Sequence, residues 1–139
     1  NKVNKFIFTS SDKAVNPSNV MGSTKLLAER LVSSANSIEG CDTIFASTRF
    51  GNILGSRGSV VTIFEKQVRN NLPLTITDLK MTRYVMTLEK ACQLVIKSTI
   101  LAKGGEVFIF KMKALKILDL AKAFYKFKKN SLKKFKYKI

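Results

Sequence analysis

Apolar residues fall along the chain in short clusters with two kinds of spacing. Lys5-Phe6-Ile7-Phe8-Thr9-Ser10 is a compact apolar run ending in small polar residues, and it predicts a buried strand. Ser11 to Ser18 interrupts the pattern, with Asn16-Pro17 as a turn signal. Ser18 or Asn19 is placed to cap a helix over roughly 19–36, in which Val20, Leu27, Leu31 and Ala35 would supply the core stripe. Past Gly40, a second strand is predicted from Thr43 to Arg49. A glycine-rich loop, Gly51 to Gly58, then leads to a helix from Val60 to Asn70. Shorter runs predict strands at Leu74–Thr77 and Arg83–Met86, then a helix from about Leu88 to Ala102. Gly104-Gly105 turns into a strand at Val107–Phe110, and a last helix covers Ile117–Phe127. Phe135, Tyr137 and Ile139 alternate with lysines, as in a strand cut off at its end. Strand and helix alternate without an internal repeat, so the expected class is α/β with parallel strands.

Composition narrows the chemistry. A chain of 139 residues with 45% hydrophobic content fits one domain with a real core. It has no run of 18 apolar residues to cross a membrane and no leader-like opening, so a cytoplasmic setting is expected. Two cysteines without a CxxC exclude a disulfide framework and a cysteine zinc site. With no histidine, histidine triads and the common histidine metal sites are excluded as well.

The net charge of +16 is uneven. Residues 111–139 hold 11 lysines against a single acid, Asp119, and only five basic residues of the whole chain are arginines. Nucleic-acid readers favour arginine for bidentate contacts, so a solvated lysine surface is the expected outcome, with a basic binding module as the alternative from another class. The two differ in whether the lysines after position 110 form one face with the Arg49–Arg57 loop.

Three stretches carry candidate chemistry. Ser10-Ser11-Asp12-Lys13 brings hydroxyl, carboxylate and amine to the end of the first strand, where open α/β sheets bind ligands. The plain alternative is a turn with a surface Asp–Lys pair. Met21 and Lys25 share a helix face at the Tyr-x-x-x-Lys spacing of short-chain dehydrogenases, with methionine in place of the tyrosine. The alternative is a core Met21 and a Lys25 paired with Glu29. Gly51-x-x-x-Gly55-x-x-Gly58, with Asp78 further on, imitates a dinucleotide fingerprint at the wrong spacing.

The run from Phe8 through Ser10-Ser11-Asp12-Lys13-Ala14-Val15-Asn16-Pro17 to Met21-Gly22-Ser23-Thr24-Lys25 resembles the NDP-sugar 4,6-dehydratases of polysaccharide biosynthesis. These are extended short-chain dehydrogenases, and UDP-N-acetylglucosamine 4,6-dehydratase is the nearest activity. Thr48-Arg49-Phe50-Gly51-Asn52-Ile53-Leu54-Gly55, Met81-Thr82-Arg83-Tyr84, Gly104-Gly105-Glu106-Val107-Phe108 and Lys116-Ile117-Leu118-Asp119-Leu120-Ala121 agree, so the likeness covers about residues 5–125. The departures are Ser11 for threonine, Met21 for tyrosine, Lys113 for proline, and the lack of the glycine-rich cofactor turn, which the family carries more than a hundred residues earlier.

The resemblance implies the C-terminal part of a Rossmann-like fold. Residues 1–50 would end the core and hold the active-site motifs. Residues 51–139 would be mostly substrate-binding, with a basic tail at 126–139. It also implies NAD or NADP, a nucleotide-sugar substrate, a homo-oligomer at full length and no nucleic-acid partner. Hydride would leave C4 of the hexose, the C5 proton and the C6 hydroxyl would be lost, and hydride would return to C6. Ser11 would orient a substrate oxygen, Asp12 would be the acid for water loss and Lys13 the base at C5. Met21 occupies the tyrosine position, and Lys25 and Ser10 would meet the cofactor. Asn52, Arg57, Ser59 and Arg83 would meet the substrate, with Arg83 otherwise a surface charge beside Asp78. A sugar-nucleotide epimerase is the sister reading, which Lys13 disfavours because an epimerase needs no C5 base there.

Overall fold

The computed structural model describes residues 3–56, 58–129 and 135–139. Its elements in chain order are β1 (Lys5–Ser11), a 3-10 turn (Asp12–Ala14), α1 (Val20–Ser34), a second 3-10 turn (Ala35–Ser37) and β2 (Ile44–Phe50). Then follow β3 (Asn52–Ile53), α2 (Val60–Arg69), β4 (Leu74–Thr75), β5 (Thr82–Met86), α3 (Leu88–Leu101), β6 (Val107–Ile109), β7 (Ala114–Lys116), α4 (Ile117–Lys129) and β8 (Tyr137–Lys138). Every predicted element is present, with ends shifted by a few residues. β3, inside the expected glycine-rich loop, and β7 were not foreseen, because two or three residues are too few to show periodicity.

The chain divides into two compact units. The first comprises residues 1–51 and 86–111. Its sheet is parallel, in the order β1-β2-β6, with Ser10 level with Arg49 and Ser47 level with Val107. α1 and α3 both pack on β1 and β2. The ends of these elements are pinned by side chains. Asn19 accepts the Gly22 amide at 2.9 Å and caps α1, as its residue type predicts. Lys5 Nζ donates to the carbonyls of Thr99, Ile100 and Ala102 at 2.7, 3.1 and 3.1 Å, which satisfies the free end of α3 and complements its dipole. Asn36 exchanges two 2.9 Å hydrogen bonds with the backbone of Phe45 and fixes where β2 begins.

The expected core stripe of α1 is overturned. Val20, Leu27 and Leu31 are 79%, 61% and 62% exposed, whereas the buried residues of α1 are Gly22 and Glu29. The inward side mixes half-buried Leu26 and Val32 with Lys25, Glu29 and Ser33, whose polar groups bond to neighbouring segments.

The second unit comprises residues 52–85 and 112–139. Its core is Phe64, Val68, Leu74, Ile76, Ile117 and Ala121, with Phe124 tilted against Phe64 at 6.2 Å. α2 packs on α4 through this cluster. A small sheet runs β3-β5-β7, in which β5 and β7 are antiparallel with Arg83 level with Leu115. β4 and β8 pair in parallel, Leu74 level with Tyr137. The fingerprint reading of the glycine loop fails here. The residues after Gly51 form β3 and join β5, instead of turning from a strand directly into a helix. Among the described residues no helix is long and apolar enough to cross a membrane.

Candidate active site

The carboxyl end of β1 gathers the polar groups of the first unit. Ser11 is the extended residue that starts the 3-10 turn, and its Oγ accepts the Lys13 amide at 3.3 Å. The same hydroxyl donates to Asp12 Oδ1 at 2.9 Å. Lys13 Nζ donates to that oxygen too, also at 2.9 Å. One carboxylate oxygen therefore joins the hydroxyl and the amine into a single cluster. The Asp12 side chain is 16% exposed and that of Lys13 35%.

Lys25 approaches from α1. Its Nζ donates to the Thr9 carbonyl at 3.0 Å and lies 4.8 Å from the centre of the Phe8 ring. Thr9 is two residues before Ser11, so the second amine stands at the same end of the strand. It does not pair with Glu29. Both Glu29 oxygens are held by Arg49, from Nε at 2.9 Å and from Nη2 at 2.6 Å. Nor is Met21 core, since it is 47% exposed. Ser10 is buried; its Oγ lies beside Glu29 but outside hydrogen-bond geometry.

Electrostatics around the pair follow from its burial. Burial pushes the Glu29 carboxyl up, but the Arg49 hydrogen bonds and charge outweigh it and hold the group below the usual carboxylate range. The hydrogen bond to Glu29 raises Arg49 in turn.

In the second unit Asn52, Ser59 and Arg83 line one cavity of about 450 Å³, together with Thr75 and Thr77. Ser59 sits at the start of α2 but makes no side-chain cap, and its Oγ is buried without a partner. Arg83 spends one donor on the Thr82 carbonyl at 2.9 Å, and among the described residues it forms no ion pair with Asp78. Arg57 lies outside the described residues. Thr75 and Thr77 were not anticipated, and nothing in a lone threonine signals them. Glu29 and Arg49 were missed as a pair, because the two residues are 20 positions apart and meet across α1 and β2. Arg49, thus engaged, is withdrawn from any basic face. Among the described residues no group of acids and cysteines could hold a metal ion.

The first unit is thus an α/β layer in which a helix lysine reaches the carboxyl end of the strand that leads into the Ser11-Asp12-Lys13 cluster. Residues 1–139 match the model of the family described as polysaccharide biosynthesis protein, and the chain belongs to it. UDP-N-acetylglucosamine 4,6-dehydratase (inverting) of Campylobacter jejuni is 46% identical over 125 residues, which are 88% of this chain and 37% of that protein. The solved structure of Pen from Bacillus thuringiensis is 49% identical with a TM-score of 0.84, over 88% of this chain and 38% of that one. The dTDP-glucose 4,6-dehydratase of Bacillus anthracis, solved with NAD, shares the fold at 13% identity and a TM-score of 0.81. That match covers 96% of this chain and 49% of that one. The chain thus spans little more than a third of the curated relative's length.

Proposed function

We propose that this chain supplies the acid–base and substrate-side residues of an NAD- or NADP-dependent nucleotide-sugar 4,6-dehydratase, acting on UDP-N-acetylglucosamine within a longer chain. The observation that carries the reading is the cluster in which one Asp12 oxygen joins Ser11 and Lys13 at the end of β1.

The donor set fits a nicotinamide cofactor. Lys25 has three N–H donors and gives one to Thr9, which leaves two for the vicinal hydroxyls of a ribose. When bound, the cofactor would supply the reversible hydride acceptor that the reaction needs without net consumption. The remaining work falls to the side chains. Ser11 Oγ is placed to orient the substrate oxygen. As hydride leaves C4, the C4 hydroxyl proton passes through Ser11 Oγ to Asp12, the carboxylate that accepts from Ser11 at 2.9 Å. Lys13, acting as the neutral amine, takes the C5 proton while Asp12 gives its proton to the departing C6 oxygen, which leaves as water. Lys13 then returns a proton to C5 as hydride reaches C6. Met21 has no transferable proton, so this cluster carries the proton chemistry alone. Asn52, Ser59 and Arg83 would bind the nucleotide diphosphate, with the unpartnered Ser59 Oγ and the free arginine donors as its ligands.

The test uses the complete protein that contains this chain, with UDP-N-acetylglucosamine and heavy water. The expected product is the 4-keto-6-deoxy sugar carrying solvent deuterium. A positioned base contributes about 10²–10⁴ in rate, so Lys13→Ala should lower turnover by that factor, stop C5 exchange and leave substrate affinity within a few fold. Asp12→Asn should slow water loss while C5 exchange persists. A product that is only the C4 epimer, or normal C5 exchange in Lys13→Ala, overturns the reading.

A further inference from the structure

The side of α1 that faces the strands reads Gly22, Lys25, Glu29 and Ser33, one residue per turn. Each meets a different partner: the Lys13 carbonyl, the Thr9 carbonyl, Arg49, and the Gly105 carbonyl at 3.0 Å. Resting on the function proposed above, we propose that the Glu29–Arg49 ion pair is the positioning device for Lys25. It sets the rotation and height of α1 on the sheet, and so holds the Lys25 amine at the end of β1.

Three observations carry this. First, the fully buried residues of α1 are Gly22 and Glu29, while the apolar Leu26 and Val32 beside them are only partly buried and Val20, Leu27 and Leu31 are exposed. Apolar contact of this kind is non-directional, so the angle of the helix rests on the polar contacts. Second, the pair is a fork-to-fork contact between side chains only 3% and 16% exposed. A buried ion pair is often no more stabilising than an apolar pair of the same volume, but two parallel hydrogen bonds fix an angle that an apolar contact leaves free. Third, the geometry brackets the lysine. Gly22 and Glu29 stand about one turn to either side of Lys25, and Arg49 is level with Ser10, the residue before Ser11. The pair therefore ties the turn of α1 next to Lys25 to the strand position next to the reacting cluster. Glu29 touches neither substrate nor cofactor in this role.

The experiment uses the complete protein with two variants, Glu29→Gln and the apolar double variant Glu29→Leu with Arg49→Met. The double variant leaves no unpaired buried charge and keeps the test sound if the single one folds poorly. The first readout needs no activity. Acetic anhydride labelling, followed by peptide mass spectrometry, should modify Lys25 at least about three times faster in both variants, with exposed Lys97 as the unchanged reference. The second is kinetic. A catalytic group misplaced by about 1 Å can cost about 10² in rate, so kcat should fall about 10–100-fold while KM for the nucleotide sugar stays within about threefold. In a Lys25→Ala background the same substitutions should lower kcat less than about threefold, because groups acting through one another are not additive. Unchanged Lys25 labelling, or equal kcat losses in both backgrounds, overturns the inference and leaves the pair a stabilising contact only. Faster labelling in a protein without dehydratase activity would retire the proposed function and keep the positioning role.

Discussion

A methyl group added at position 22 would sit 2.6 Å from the Lys13 carbonyl oxygen and 3.1 Å from Pro17 Cβ. Alanine is otherwise about 1 kcal/mol better than glycine inside a helix. The backbone contact with the Asp12–Ala14 turn outweighs that preference. Gly22→Ala is expected to cost about 1–3 kcal/mol through overpacking and to lower turnover by displacing Lys13. Thermal melting and turnover check it, and an unchanged or raised midpoint would contradict it. Met21 makes the opposite case. It stands half-exposed at the tyrosine position, so Met21→Leu should cost less than about tenfold in turnover, and Lys25→Ala much more. A hundredfold loss from Met21→Leu in a folded protein would show that the thioether matters. At this scale the sequence makes legible what is contiguous. Ser11, Asp12 and Lys13 meet because they are neighbours. Glu29 and Arg49 meet only because β2 returns beside β1, and no local spacing announces that.

The helix α1 shows where patterning misleads. Its leucines repeat at helical spacing, so they read as a core stripe, yet the opposite side faces the strands. Hydrophobic periodicity reports a helix, and here it does not report which side is inside, because Lys25, Glu29 and Ser33 on the inner face bond to the neighbouring segments. The same anchors make the element acid-sensitive. Glu29 is held below its ordinary value once the opposing effect of burial is outweighed by Arg49. Glu106 behaves alike: burial raises it, while the amides of Gly104 and Lys103 lower it further at 2.8 Å each. A group whose folded value is depressed adds stability above its unfolded value of about 4.3, and that stability is lost as the pH falls through the folded value. The melting midpoint is therefore expected to hold from pH 7 to 5 and to drop below about pH 4. Glu29→Gln should flatten that drop, and a midpoint level down to pH 3 would refute the linkage.

At the scale of the whole molecule, apolar exposure and net charge oppose each other. Val20, Leu27 and Leu31 on α1, and Ile96 and Ile100 on α3, are all well exposed on the 139-residue chain, which carries +16. Repulsion keeps such chains apart at low salt, and screening removes it. Sedimentation of the isolated chain should show self-association that grows from about 20 mM to about 500 mM salt. Leu27→Gln with Leu31→Gln should reduce it. A monomer at roughly 100 micromolar in high salt would contradict the expectation. Fold class and element order were legible in the sequence. The partition into units was not, because the chain enters and leaves each unit more than once, and composition does not change at those points. That interleaving has a consequence for time. As the chain emerges from the ribosome, β2 is complete at Phe50, but its second neighbour in the sheet begins only at Val107. At about 5–20 residues per second, one flank of β2 stays unpaired for several seconds while most of another unit is synthesised. The nascent chain must carry an open parallel edge through that delay, which makes this interval of translation the stage at which a chaperone would have the most to protect.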